Sequence, residues 1–165
     1  MKKFFIFLFA ILPILVIAQL KGKVVRIADG DTFTLLTEEN RQVKVRLYGI
    51  DCPEKAQDFG QVAKQFLSNQ IFGKQVEVHE KNIDRYGRTI GIVFTDNPIN
   101  VNEALIKVGL AWYYSDYDKN HPAWNSLEKQ AREKKIGLWS QPNPIAPWNF
   151  RRQKRKSKFI ISLSK

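Results

Sequence analysis

Val43-Lys44-Val45-Arg46-Leu47-Tyr48-Gly49-Ile50-Asp51-Cys52-Pro53-Glu54 is the stretch on which the reading of this chain turns. Val43, Val45 and Leu47 alternate with Lys44, Arg46 and Tyr48, the pattern of a half-buried strand. Pro53 fixes its own φ and biases Cys52 away from helix, so the strand ends in a turn. One cation on the strand and two carboxylates in the turn are thereby held close together. A rigid strand leading into a charged turn suits a metal ion or a phosphate. The same residues also fit a solvated strand face followed by a polar loop, and taken alone they leave both readings open.

The flanking sequence supplies the rest of a small barrel. Residues 22–28 and 32–36 read as strands joined by Ala28-Asp29-Gly30-Asp31, where Asp-Gly signals a tight turn. Glu38-Glu39-Asn40 turns the chain into the strand at 42–49, completing an antiparallel meander. Phe59, Val62, Ala63, Phe66 and Leu67 recur at helical spacing, and Gly73 ends that helix. Residues 74–81 and 89–95 alternate again as the fourth and fifth strands. Asn100, three residues before Glu103, marks a capped helix start, and Gly109 stops that helix. A last helix opens near Pro122 on an apolar face of Trp124, Leu127 and Ala131. Three strands, a helix, two strands and two helices predict an α+β fold on a five-stranded barrel. Pro142, Pro144 and Pro147 predict an extended connector beyond residue 140.

Composition limits the chemistry. Cys52 is the only cysteine, which excludes an internal disulfide, and neither His79 nor His121 stands in a Cys-His catalytic or metal-ligand pattern. The first eighteen residues combine Lys2 and Lys3 with an apolar run ending at Ala18, as in a secretory signal peptide. They predict a secreted or periplasmic protein, with an uncleaved membrane anchor as the alternative. The remainder suits one domain at 19–140 with a tail at 141–165. The net charge of +11 is uneven: residues 19–133 are formally neutral, whereas 134–165 hold nine Lys and Arg and no acid. Arg151, Arg152, Lys154, Arg155, Lys156 and Lys158 cluster in that tail. Three roles are open for it: a solubilising end, a phosphate-binding arm, and attachment to an anionic surface.

Asp29-Gly30-Asp31-Thr32, Arg46 to Glu54, Asp84-Arg85-Tyr86-Gly87-Arg88 and Val101-Asn102-Glu103-Ala104-Leu105 together resemble the staphylococcal nuclease (thermonuclease) family. Gly109-Leu110-Ala111 and Gly137-Leu138-Trp139-Ser140 extend the resemblance over roughly residues 21–140, in the family's order. It implies an OB-fold barrel with three helices and calcium-dependent hydrolysis of DNA and RNA, with 3′-phosphate ends. By that resemblance, Asp31 and Asp51 are carboxylate ligands of Ca²⁺, and the backbone carbonyl of Cys52 is a further ligand where the compared member has Thr. Glu54 is the general base, Arg46 and Arg88 bind phosphate, and Arg85 and Tyr86 line the nucleotide site.

Other residues keep plainer readings. Asp29 reads as a turn residue, and Asp84 as one that shapes its loop. Most of Trp112-Tyr113-Tyr114 reads as core packing, with Tyr117 assigned to base stacking. Two departures from the family stand out: the loop Lys55-Ala56-Gln57-Asp58 is short, and Ser115 replaces a tyrosine. A monomer is expected. The competing class is a non-catalytic OB-fold module that binds nucleic acid, and a third reading is an envelope-tethered interaction protein. The joint presence of Asp31, Arg46, Asp51, Glu54 and Arg88 favours the enzyme.

Overall fold

Strands of alternating apolar residues bury one face only by packing it against another layer or by closing on themselves. Here they close. The structure, a computed structural model, describes residues 19–116 and 120–163, with side chains as far as Ser157. The expected signal segment 1–18, Tyr117 and the side chain of Lys158 lie outside the described residues.

The barrel strands are β1 (Leu20–Ile27), β2 (Thr32–Thr37), β3 (Gln42–Leu47), β5 (Gln75–Ile83) and β6 (Thr89–Thr95). Their order round the closed barrel is β1-β2-β3-β6-β5. β1, β2 and β3 form the expected meander, with Val24 opposite Leu35 and Phe33 opposite Val45. β3 then runs parallel to β6, Arg46 facing Ile90, and β1 closes the ring against β5. Val24, Phe33, Leu35, Val45, Val78 and Val93 fill the interior with no exposure. This is the α+β, five-stranded OB-fold architecture that the sequence predicts.

A parallel β3–β6 pair cannot be joined by a hairpin. The crossover contains α1 (Gly60–Ile71), whose Ala63, Leu67 and Ile71 are buried at a spacing of four. A two-stranded ribbon, β4 (Ile50–Asp51) with β7 (Trp112–Tyr113), sits beside the barrel and pairs Asp51 with Trp112. α2 (Val101–Lys107) is capped by Asn100, whose side chain accepts the Glu103 N–H at 3.1 Å. α3 (Pro122–Glu133) starts on its proline as expected and buries Trp124 and Ala131. A 3₁₀ turn follows at Gly137–Ser140.

One buried polar side chain ties these layers together. Asn102 accepts the Val93 N–H at 3.1 Å and donates to the carbonyls of Tyr48 at 2.9 Å and Gly91 at 3.4 Å. It thus fixes the turn after β3 to β6 and α2.

The chain beyond residue 140 differs from expectation. It is not an extended connector throughout, and the three expected helices become four: Pro147 opens α4 (Pro147–Leu163). Proline lacks an N–H that the first helical position does not need, and its φ is already helical. Trp148 then stacks on Tyr114 with 4.8 Å between centroids and 7° between planes. Ala146 and Pro147 are buried, so the start of α4 is packed on the domain, whereas Arg152 to Ser157 are exposed.

Asn102→Leu should lower the free energy of unfolding by on the order of 3 kcal/mol, because it strands buried backbone groups. Urea denaturation followed by tryptophan fluorescence measures it; an unchanged midpoint would show that these bonds do not hold the layers together.

Candidate active site

Strand register delivers the charged residues to one end of the barrel. Asp29 acts as the expected turn residue, its carboxylate accepting the Asp31 N–H at 3.2 Å. Thr32 pairs with Arg46, and Leu47 donates its N–H to the Asp31 carbonyl at 2.9 Å. Asp31, one residue before β2, and Arg46 on β3 are therefore neighbours. Gly49, at φ 68°, makes the reversal from β3 into β4 in a backbone region costly for other residues. β4 carries Asp51, held from its far side by β7, whose Tyr113 N–H is in turn bound by buried Glu128 at 2.7 Å.

The centre of the site is a bridged carboxylate pair. Arg46 donates from Nη1 to Asp31 at 2.9 Å and from Nη2 to Asp51 at 2.8 Å. Asp31 is 3% exposed and Asp51 is 1% exposed, so this cluster has little help from water. Burial is the main influence on Asp31 and raises its carboxyl pKa, although Arg46, the Cys52 N–H and the Thr32 hydroxyl oppose it. Burial also works against the charge of Arg46, but Asp31 and Asp51 more than offset this and push its pKa up. Thr32 donates to Asp31 Oδ1 at 2.9 Å and the Cys52 N–H to Oδ2 at 3.0 Å, so Asp31 is held in one orientation.

Cys52 is a packing residue in its side chain. Its thiol is buried against the Gly30 carbonyl at 3.3 Å, and burial, with Asp31 and Asp51 nearby, pushes its pKa well up. A protonated buried thiol is no nucleophile.

Glu54 stands at the outer edge of the cluster, its N–H held by Gln57 Oε1 at 2.9 Å. Its carboxylate meets a residue that sequence reasoning placed only in the basic tail. Arg151 of α4 donates to Asp51 Oδ2 at 2.7 Å, to Asp51 Oδ1 at 3.2 Å and to Glu54 Oε1 at 2.8 Å. Its side chain is 38% exposed. A usable signal existed in Pro147-Trp148, a helix start followed by an anchoring aromatic, which sets Arg151 one turn further on.

The loop between β5 and β6 is a separate unit. Asp84 accepts the N–H groups of Tyr86 at 2.8 Å and Arg88 at 3.0 Å, which is the loop-shaping role expected of it. It also takes the Arg88 guanidinium, with Nε at 2.8 Å and Nη2 at 2.7 Å. Arg85 Nη2 meets the Tyr86 hydroxyl at 2.9 Å, and Tyr86 is 67% exposed. The structure brings Arg46, Asp31, Asp51 and Glu54 together, whereas it holds Arg88, Arg85 and Tyr86 on this neighbouring loop. Trp112 packs on Trp139 with centroids 4.4 Å apart, and Tyr113 on Trp124 at 6.2 Å, in line with a packing role.

Among the described residues no three His, Cys, Asp or Glu side chains form a ready metal cage. The expected donors are fewer: the carboxylates of Asp31 and Asp51, with a backbone carbonyl and water. These are hard oxygens of the kind that calcium and magnesium take. The buried carboxylates already recruit two guanidinium groups, Arg46 and Arg151, so the site attracts positive charge and fits a hard cation.

Arg46→Ala leaves two buried carboxylates without their shared cation. It should cost about 3–5 kcal/mol of stability at neutral pH, the usual effect of orphaning a buried charge. The loss should shrink as pH falls, because burial raises the Asp31 carboxyl pKa and its protonation removes a charge that Arg46 offsets. Urea midpoints of both proteins at neutral and mildly acidic pH measure this. A loss that grows on acidification would contradict the charge argument.

The family model described as "Staphylococcal nuclease homologue" matches residues 44–141. The chain is 44% identical over 145 residues to protein ParB of Escherichia coli, covering 82% of this chain and 81% of the relative. It is 44% identical over 133 residues to an uncharacterised endonuclease of Haemophilus influenzae, covering 81% of this chain and 74% of that one. It is 42% identical over 150 residues to a micrococcal nuclease of Shigella flexneri, covering 85% of each. The matched segment contains Arg46, Asp51, Glu54 and the Asp84–Arg88 loop, and on these grounds the chain belongs to the staphylococcal nuclease homologue family.

Proposed function

We propose that this protein is a calcium-dependent nuclease that hydrolyses phosphodiester bonds of DNA and RNA with little sequence preference and leaves 3′-phosphate ends. The observation that carries the reading is the bridge of Arg46 between Asp31 and Asp51 with Glu54 at its edge. A module that only binds nucleic acid has no use for carboxylates facing an anionic backbone. Family membership and relatives described as endonucleases and as a micrococcal nuclease support hydrolysis.

Each residue then has a task. Asp31, Asp51 and the Cys52 carbonyl would hold the calcium ion, and Thr32 and the Cys52 N–H keep the Asp31 carboxylate in place. Bound calcium supplies Lewis-acid polarisation of the phosphoryl oxygen. Arg46 presents a planar pair of N–H donors to the phosphate as charge builds on it. Glu54 accepts the proton of the attacking water, which makes that water the stronger nucleophile. Arg88 exchanges Asp84 for phosphate, and the exposed Tyr86 with Arg85 offers a face to the nucleotide. Nothing in this set reads base edges, so cleavage follows the backbone and not the sequence.

The basic face of α4 adds sequence-independent affinity. The first eighteen residues direct export, and the protein acts as a monomer outside the cytoplasm. Among the described residues no helix is long and apolar enough to cross a membrane.

Purified protein with single-stranded DNA, duplex DNA and RNA should cleave all of them in Ca²⁺ and none in chelator. Glu54→Gln should lower kcat by about 10²–10⁴-fold, the usual contribution of a general base. Cleavage that persists in chelator would contradict calcium dependence. Unchanged kcat in the variant would remove Glu54 from the mechanism. New 3′ ends that accept polymerase extension without phosphatase treatment would contradict the product assignment.

A further inference from the structure

α4 does more than carry charge. Its first turn and the segment leading into it are fixed to the domain at three places: Trp148 stacks on Tyr114, Gln57 Nε2 donates to the Ile145 carbonyl at 3.0 Å, and Gln141 Nε2 donates to Asp58 at 2.6 Å. The last two bonds use the short 55–58 loop as a dock. The anchored segment sets Arg151 against Asp51 and Glu54, and beside Arg151 and Glu54 lies a cleft of about 350 Å³. Lys55, Arg151 and Lys154 line it, together with Phe150, Ala56 and the carboxylates of Glu54 and Asp29. Arg151 and Lys154 are three residues apart, so they share one face of the helix.

We propose that this cleft is a second phosphate subsite, with Arg151 as its inner cation and Lys154 and Lys55 on its rim. It binds the backbone phosphate next to the one being cleaved. The inference rests on the nuclease reading.

Charge supports it. Asp31, Asp51 and Glu54 face the two guanidinium groups of Arg46 and Arg151, a net charge of −1. A divalent cation brings that to +1, which suits an incoming phosphodiester; without Arg151 the loaded site would be neutral. Geometry supports it as well. The Arg151 fork already spans paired carboxylate oxygens, and paired phosphate oxygens are its other natural partner. Arg151 is half-exposed, so its guanidinium is open to a phosphate in the cleft as well as to the carboxylates it meets. Phe150 gives the adjoining sugar or base an apolar wall.

The test compares the full chain with Arg151→Ala, Arg151→Lys and Lys154→Ala on an octanucleotide and on a dinucleotide that has a single phosphodiester. On the octanucleotide, kcat/KM should fall about tenfold in Arg151→Ala and about threefold in Lys154→Ala, with part regained in Arg151→Lys; one lost phosphate contact should also reduce the slope of log kcat/KM against log salt by about 0.7. The dinucleotide, which offers no second phosphate, should lose less than twofold in Lys154→Ala, and in the Arg151 variants it should lose less than the octanucleotide does. Equal losses on both substrates would overturn the subsite and make Arg151 a residue of the reacting centre. Unchanged or faster cleavage in Arg151→Ala would also overturn it and make α4 an inhibitory latch. Lys154 is exposed and makes no contact that folding needs, so its variant decides the matter even if Arg151→Ala is unstable. A wild-type chain that cleaves neither substrate in Ca²⁺ would instead defeat the nuclease reading itself.

Discussion

Arg46 lies between Asp31 and Asp51, and the rest of the site depends on that position. Two carboxylates so deeply buried repel each other strongly in a medium that screens poorly. A single planar guanidinium answers both, with one nitrogen to each. The arrangement costs desolvation of three charged groups, which a fold would not retain for stability alone. It makes sense as a site kept charged and rigid for a ligand that also carries charge.

The barrel is what makes the bridge possible. Asp31 comes from the turn before β2, Arg46 from β3 and Asp51 from the ribbon beside the barrel, so three connections must end at one place. Antiparallel register puts Thr32 opposite Arg46, and the parallel β3–β6 pair puts Ile90 on its other side. Asn102 then locks the Tyr48 turn, from which Asp51 is only three residues away. Packing at Asn102 and chemistry at Asp51 are therefore links of one chain of constraint. α4 is the outermost link: its anchor at Trp148 brings an arginine from the far end of the sequence to the same carboxylates.

Much of this is legible in the residues. Alternation at 42–47 and 89–95 marks β3 and β6, Asp-Gly marks the β1–β2 turn, and Asn100 marks the start of α2. The motifs spanning Asp31 and Arg46 to Glu54 fall where the structure gathers charge. The Asp84 loop is also recognisable, but its pairing with the Arg88 guanidinium is not, because side-chain pairing within a turn leaves no periodic trace. α4 escapes notice for a different reason. Three prolines in six residues imitate a linker, and only Pro147 lies where a helix can begin on it. Arg151 escapes with it. A contact between residues 97 to 100 positions apart has no local pattern to announce it.

The central claim is that the Arg46-bridged carboxylates form a cation site that works on phosphate. A crystal structure of the full chain with Ca²⁺ and a short oligonucleotide carrying phosphorothioate linkages tests it most directly. One calcium ion should be bound by the Asp31 and Asp51 carboxylates, with a backbone phosphate beside it and against Arg46. Calcium held elsewhere, or an oligonucleotide lying away from Asp31, Arg46 and Asp51, would contradict it.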